Sequence, residues 1–379
     1  MSSCARGDGM WTMVLGAFLV GCGGGVPAVE RTFTASQLDS LPRTTVSDGP
    51  RVCEATGYDP CPLRRAVANW LGPDRYALWE PGNLVRLYDG HDSAGRVVGA
   101  VGHGAGSYGF ATAVGPDRGG IAVIDGARNT LVRFDVRGRA AGEVLLPRHE
   151  VDDAPGFDGA VPVLQRARSQ GAGGSAILEV QVLKAATDSS GKVMLSLPLP
   201  WLVLSGGKPV QPTPFFPAVP RYAVDADHSI VWSPGDRFEI HRRSQAGANL
   251  WTLASDRTGP PVTPEDIAGR RREVESQTDP HEVPPSDVDS MIARTGKLHP
   301  AIGGITIAPS GAILVSGPQT PSRDSVDYFV LTSAGVPITR FTLPSRMQVL
   351  LFGGDSLLVH QPTESEPWEV RWMQLRMQK

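Results

Sequence analysis

Cys53 and Cys61, eight residues apart in the run RVCEATGYDPC, are the most closely spaced cysteines of this sequence. Such a pair can be oxidised to a disulfide or can supply half of a metal site. No histidine lies between Cys22 and Cys61, so the metal reading lacks partner ligands, and a disulfide in an oxidising compartment is the expectation. Closing a loop of this size stabilises by roughly 2.5 kcal/mol on the chain-entropy account. Arg270, Arg271 and Arg272 form a cationic triplet that could face a ligand. Three successive residues cannot share one helical face, so at most one or two of them could point at a common site. The remaining patterns fail on context. Ser189 with Lys192, and Ser205 with Lys208, have the spacing that brings a hydroxyl and an amine together on a helix, yet both lie in Gly-rich turns between β-type segments. Gly102, Gly104, Gly106 and Gly109 would cradle a phosphate only if a helix followed; FATAVGPDRGG follows, which reads as strand and turn. The eight histidines, His91, His103, His149, His228, His241, His281, His299 and His360, include no i, i+4 pair. Asp152, Asp153 and Asp158 lack the spacing of a calcium loop and read as a solvated turn. No catalytic residue, metal ligand set or cofactor is expected from local motifs.

Charge and the N-terminus bound where such a chain works. Lys+Arg 36 against Asp+Glu 39 gives a formal net charge of −3, without the basic excess of a nucleic-acid binder. Gly 44 and Pro 33 with 41% hydrophobic residues describe a turn-rich globular chain. The apolar stretch from Trp11 to Val20 is far shorter than the roughly 20 residues needed to span a membrane. It ends in Leu19-Val20-Gly21-Cys22, which resembles the lipobox of bacterial lipoprotein precursors. That resemblance implies removal of residues 1–21 as a signal peptide and diacylation of the Cys22 sulfur with palmitate-type chains. Arg6 is offset by Asp8, an unusual n-region, and Met10 and Met13 offer alternative starts. Gly23 to Gly25 and Val26-Pro27 read as a tether. Gly23 in place of an aspartate resembles signals sorted to the outer membrane, which places the domain at its periplasmic face with the membrane as partner.

The elements that position any site are strands. TAVGPDRGGIAVID (112–125), YAVDADHSIVWSPG (222–235) and ITIAPSGAILVSG (305–317) each read as strand, tight turn, strand. LVRFDVRGRAAGEVLLP (131–147), FEIHRRSQAGANLWTLA (238–254) and YFVLTSAGVPITRFTLP (328–344) read as strand, glycine turn, strand, with LVRLYDGHDSAGRVVGAVG (84–102) a looser copy. One segment of each kind makes about four strands over roughly 40 residues, the size of a propeller blade. Gly138, Gly247 and Gly335 hold equivalent places, separated by 109 and 88 residues, so each gap has room for two units. The stretch 177–204 supplies a blade in the first gap, and 348–375 supplies a last one. The expectation is an all-β chain, a β-propeller of about six four-stranded blades, with residues 29–47 available to close the ring. Trp201, Trp232, Trp251 and Trp372 are expected between blades.

The run from 99 to 138 carries a Gly-rich turn and aromatic (Gly102 to Phe110), Asp-x-x-Gly (Asp117 to Gly120), I-x-V-x-D (Ile121 to Asp125) and F-D-x-x-G (Phe134 to Gly138). It resembles the six-bladed, NHL-like β-propeller lipoproteins of bacterial envelopes. That implies an architecture and transfers no function.

Residues 261–300 break the pattern. Thr263, Pro264, Glu265 and Asp266 read as an N-cap followed by a proline and acids in the first helical turn. Ser286 with Asp289 opens a second helix that Gly296 stops. The layout expected is therefore a signal peptide over 1–21, a tether and closing strand over 22–50, and a propeller over 51–379 with a helical insertion at 261–300. The leading functional expectation is a non-enzymatic binding or scaffold module that holds a protein, peptide or glycan at one propeller mouth or at the insertion. The alternative is a metal-dependent hydrolase, lactonase or lyase whose residues converge on the central channel from several blades.

Overall fold

The computed structural model describes residues 28–54, 66–82, 84–92, 95–117, 119–146, 154–169, 174–205, 208–277, 283–362 and 368–377. The chain enters through β1 (Val29–Phe33), a short helix α1 (Ala35–Asp39) and β2 (Thr44–Glu54). The first blade follows with β3 (Val67–Gly72), β4 (Arg75–Trp79), β5 (Val85–Asp89) and β6 (Arg96–Val98). Two short strands, β7 (Ala100–Val101) and β8 (Ser107–Tyr108), pair in parallel on the way to the second blade. That blade holds β9 (Ala111–Asp117), β10 (Gly120–Asp125), β11 (Thr130–Phe134) and β12 (Ala140–Leu145). The third contains β13 (Ala154–Asp158), β14 (Val161–Ser169), β15 (Ser175–Val182) and the long β16 (Lys192–Ser205), with β17 (Lys208–Pro209) beyond it. The fourth is β18 (Arg221–Val224), β19 (Ile230–Ser233), β20 (Glu239–Arg243) and β21 (Asn249–Ser255). Helices α2 (Pro264–Gln277) and α3 (Pro285–Ala293) separate it from β22 (Gly304–Ile307), β23 (Ile313–Ser316), β24 (Ser325–Leu331) and β25 (Pro337–Pro344). The sixth blade is β26 (Gln348–Phe352), β27 (Ser356–Pro362) and β28 (Trp368–Met377), with β2 as its outermost strand.

The protein is thus an all-β propeller of six antiparallel blades. Its inner strands β3, β9, β13, β18, β22 and β26 stand around the axis, each the first strand of its blade. Alternating side chains fill the seams between blades, so the core is a series of clusters: Phe238, Trp251 and Phe329 between blades four and five, Tyr76, Leu358 and Trp372 between blades one and six. The expected seam tryptophans Trp251 and Trp372 are buried; Trp201 and Trp232 are half-buried.

Turn chemistry sets the register. At Gly138, Gly247 and Gly335 the glycine N–H donates back across a turn, to the carbonyls of Asp135, Ser244 and Thr332. All three glycines have positive φ, +77°, +95° and +77°, the bulged hairpin turn in which one residue is left-handed. The 109-residue gap holds the third blade. The 88-residue gap holds no additional blade; α2 and α3 take up that length, started by the Thr263 cap and by Pro284 and Pro285.

Asp125 explains the glycine run. Its buried carboxylate accepts from the N–H groups of Gly109, Phe110 and Ala127 at 2.8, 3.1 and 3.0 Å, and from Arg128 Nε at 2.6 Å. Glycines 102 to 109 are therefore the inter-blade connection, folded around this carboxylate. The Ser189–Lys192 and Ser205–Lys208 segments lie at hairpin ends of β16, with no helix to align hydroxyl and amine.

Two local elements differ from expectation. Residues 35–39 form a helix, because Thr34 and Gln37 make a capping box and Leu38 anchors the turn in the core. Helix α3 starts at Pro285, with Pro284 as N-cap and no side-chain cap, so Ser286 lies inside it; it ends at Arg294, before Gly296. The paired prolines fix the entry dihedrals that a serine cap would otherwise select. Helix α2 begins as expected: Thr263 N–H donates to Asp266 at 2.9 Å, and Asp266 N–H returns to Thr263 Oγ1 at 3.2 Å.

The equivalent turns make a paired test. A Cβ at Gly247 meets nothing within 4 Å, whereas one at Gly335 comes 2.7 Å from the Trp251 indole. Gly247→Ala should cost about 1–2 kcal/mol from the left-handed backbone alone. Gly335→Ala should cost more, by about 1–3 kcal/mol of overpacking, in urea unfolding of the two variants.

Candidate functional site: the axial channel

Five of the six inner strands contribute to a cavity of about 390 Å³ on the axis. Its wall is mostly apolar: Trp70 from β3, Phe157 from β13, Val224 from β18, Ile305 and Ile307 from β22 and Leu350 from β26. The turns that follow β3, β13, β18 and β22 rim it, so it opens on the face opposite α2, which packs against the connection from β23 to β24 through Asp266 and Ser322.

Two polar side chains define its chemistry. Asn69 is buried and donates through Nδ2 to the carbonyls of Val114 and Gly159, both at 2.8 Å, tying the inner strands of the first three blades together. Asp158 ends β13 on the channel wall, where it accepts the Val224 N–H at 3.0 Å. Burial pushes its carboxyl up to about 7, with the Val224 N–H pulling the other way. It is half-buried by area and lies in the lining of the cavity, and the direction of the shift follows from that partial enclosure. The Tyr222 hydroxyl is raised by burial first and by the nearby Asp158 charge second, and it donates to Gln165 Oε1 at 3.0 Å.

The neighbouring acid Asp225 is occupied. Arg242 Nη2 meets it at 2.6 Å and also reaches Asp227 at 3.3 Å, while Arg242 Nη1 donates to the Ser333 carbonyl, locking a turn of blade four to one of blade five. Among the described residues no three His, Cys, Asp or Glu side chains converge in a way that would hold a metal ion.

The arginine triplet sits on α2, away from the cavity wall. Arg270 pairs with Glu273 at 2.6 Å, and Arg271 pairs with Glu275 at 2.9 Å and with Asp289 of α3 at 3.2 Å. Arg272 is exposed. The two helices are thereby braced to one another. Beneath them His299 Nε2 lies 3.0 Å from Asp266 Oδ2, both fully buried, and the Phe216 ring covers the imidazole at 4.4 Å between centroids. Asp266 is held well below the usual carboxylate range; its burial is overcome by hydrogen bonds from Thr263, His299 and Ser322. His299 Nδ1 has no hydrogen-bond partner among the described residues, so no hydroxyl or thiol is poised on this pair.

Cys53 is half-buried in β2, opposite Val370. Cys61, Cys22, Asp152 and Asp153 lie outside the described residues, as do His149 and His281. Asp158, expected in a solvated acidic turn, instead ends the innermost strand of the third blade. The available signal was the small hairpin loop at Gly159, between two apolar runs, which marks Asp158 as a strand end.

Scans against protein-family models and against curated proteins find no match. Among solved structures, a DUF4221 family member from Bacteroides vulgatus is 10% identical with a TM-score of 0.50, covering 90% of this chain and 100% of that one. A protein of Bacteroides fragilis described as exported is 10% identical with a TM-score of 0.49, covering 93% and 100%. Virginiamycin B lyase from Staphylococcus aureus is 13% identical with a TM-score of 0.33, covering 86% and 88%. The likeness is one of fold. Activity does not travel with it.

Asp158 makes stability depend on pH. Its folded-state pKa lies above the unfolded value, so its favourable contribution is complete below about pH 4 and is lost as pH rises through about 7. Asp158→Asn keeps the acceptor for Val224 and removes the charge. The variant should match wild type near pH 4 and exceed it by on the order of 1–2 kcal/mol at pH 8, after a discount for water in the channel. Chemical denaturation across that range reads the difference.

Proposed function

We propose that this chain is a binding module of the bacterial cell envelope, lipid-anchored through Cys22, that holds a ligand at its propeller axis. The channel wall carries this reading. Apolar side chains from five blades surround a single carboxyl whose charge no cation takes up among the described residues. Such a cavity, apolar with one or two placed polar groups, is the usual form of a small-ligand site. A peptide side chain, a sugar-bearing group or a free small molecule would all present groups that fit it. No helix among the described residues is long and apolar enough to cross a membrane.

The rival reading is a metal-dependent hydrolase or lyase at the same channel, and metal titration separates the two. Chelator-treated protein should take up no stoichiometric calcium, zinc or manganese and should melt within about 1 °C of untreated protein. A stoichiometric metal that raises the melting temperature by several degrees would replace the binding reading with the enzymatic one.

Anchoring and oxidation are tested together. Cys22→Ala should move the protein from the membrane fraction to the soluble periplasm; continued membrane fractionation would rule out the lipid anchor. We also assign Cys53 and Cys61 to one disulfide. Alkylation of native protein should leave both unlabelled until reduction, and Cys61→Ser should cost roughly 2.5 kcal/mol.

A further inference from the structure

We infer that the axial channel selects ligands that carry an ammonium group on an apolar body, with Asp158 as the counter-ion. The inference rests on the binding reading above and names the chemistry that the site would recognise.

Three observations carry it. First, the cavity lining contains no lysine, arginine or histidine among the described residues; its charged members there are Asp158 and Asp225. Asp225 is already neutralised by Arg242 at 2.6 Å, whereas among the described residues Asp158 meets the Val224 N–H and no cation. An anionic ligand would meet a carboxyl with no cation to offset it, and a wholly apolar ligand would bury that carboxyl unpaired. An ammonium group satisfies it. Second, two aromatic rings share the wall with the carboxyl, and both are held in place. Trp70 Nε1 donates to the Phe352 carbonyl at 3.2 Å, and its indole packs edge-on against Tyr76 at 5.9 Å between centroids. The Phe157 ring lies so close over Gly115 that a Cβ there would collide with it. Both residues line the cavity and are fixed by these seam contacts, so they give its wall rigid apolar surface for the body of a ligand. Third, about 390 Å³ lies within the range of small-ligand sites and accommodates an aryl or alkyl body together with its charged end.

Asp158 sits ready for this exchange. With its carboxyl at about 7, much of the free protein holds a proton there at neutral pH, and a bound ammonium would displace it. The surroundings titrate little in that range. Lining the cavity with it are Asn69 of β3, Thr306 of β22 and Asp225 beyond β18, the last paired with Arg242 of β20, and the nearby Tyr222 hydroxyl is raised by burial.

The test is calorimetric titration of the full mature chain with three probes of one shape: phenylbutylamine, phenylbutanol and phenylbutyrate. At about pH 8 the amine should bind on the order of tenfold or more tighter than the alcohol, and the carboxylate should bind weakest. Asp158→Asn, whose fold is checked by its melting curve, should lower amine affinity by roughly 10- to 100-fold and leave the alcohol within about threefold. In wild type, amine affinity should fall about tenfold per pH unit well below 7, with uptake of the amine releasing a proton. Three results would each overturn the inference: no amine binding up to ~10 mM, equal binding of the alcohol, or an amine affinity indifferent to Asp158→Asn. A failed amine selection with no stoichiometric metal leaves the broader binding reading standing. A bound metal removes both.

Discussion

The pairing of β2 with β28 is the contact on which the rest of the molecule depends. Thr44 stands opposite Met377 and Glu54 opposite Glu369, so residues from the two ends of the chain share one ladder. Without it, the sixth blade would end in an open edge at β28, and the chain leading from β2 into the first blade would not be tied to the sixth. A propeller distributes its core among seams, and each seam needs both of its blades. Closing the ring therefore stabilises every seam at once, at the entropic cost of one very long loop. Side chains reinforce the ladder: Arg371 meets Glu369 at 2.7 Å and Asp48 at 2.8 Å, and Arg51 meets Glu369 at 3.3 Å.

The N-terminal segment does more than close the ring. Its first strand β1 adds to blade four, pairing in parallel with β21, so residues 29–54 lie along the rim from the fourth blade past the fifth to the sixth. Between those strands Leu38 is buried in the seam of blades four and five, and Asp39 reaches Arg257 and Arg340 at 2.7 and 3.1 Å. Thr44 and Thr339 share a buried hydroxyl contact at 2.7 Å. Arg242 performs a comparable task between turns, and Asp125 within an inter-blade connection. Many charged groups in this protein are fasteners, which makes the carboxyl of Asp158, with no cation beside it among the described residues, stand out chemically.

The channel follows from the ring. Six inner strands brought around an axis leave a space whose walls are the faces that those strands do not bury in seams. Whether that space is inert or reactive depends on single side chains contributed by strands far apart in sequence. Here β3 brings Asn69 and Trp70, β13 brings Phe157 and Asp158, and β22 brings isoleucines. The helical pair α2 and α3, braced by Arg271 with Asp289 and anchored by Asp266 with His299, packs on the opposite face.

The residue order alone determined the class of fold, the blade-like repeats, the turn glycines at 138, 247 and 335 and the caps of α2. Each of these is a local matter: strand alternation, a left-handed residue or a cap is decided within a few residues of chain. The sequence also displayed the Thr34–Gln37 capping box of α1, although the β-rich surroundings masked it. Ring closure by the N-terminal segment was also legible; only the tertiary structure decided that β1 joins blade four while β2 joins blade six, that Arg270 and Arg271 are spent on ion pairs within the helical insertion, and that Asp158 lines the axial cavity with Asn69 and Trp70. Those outcomes depend on which strands become neighbours around the axis. A carboxylate in a polar turn and one in an enclosed channel are the same letter in the sequence, and burial, which shifts its proton affinity, exists only once the ring has closed.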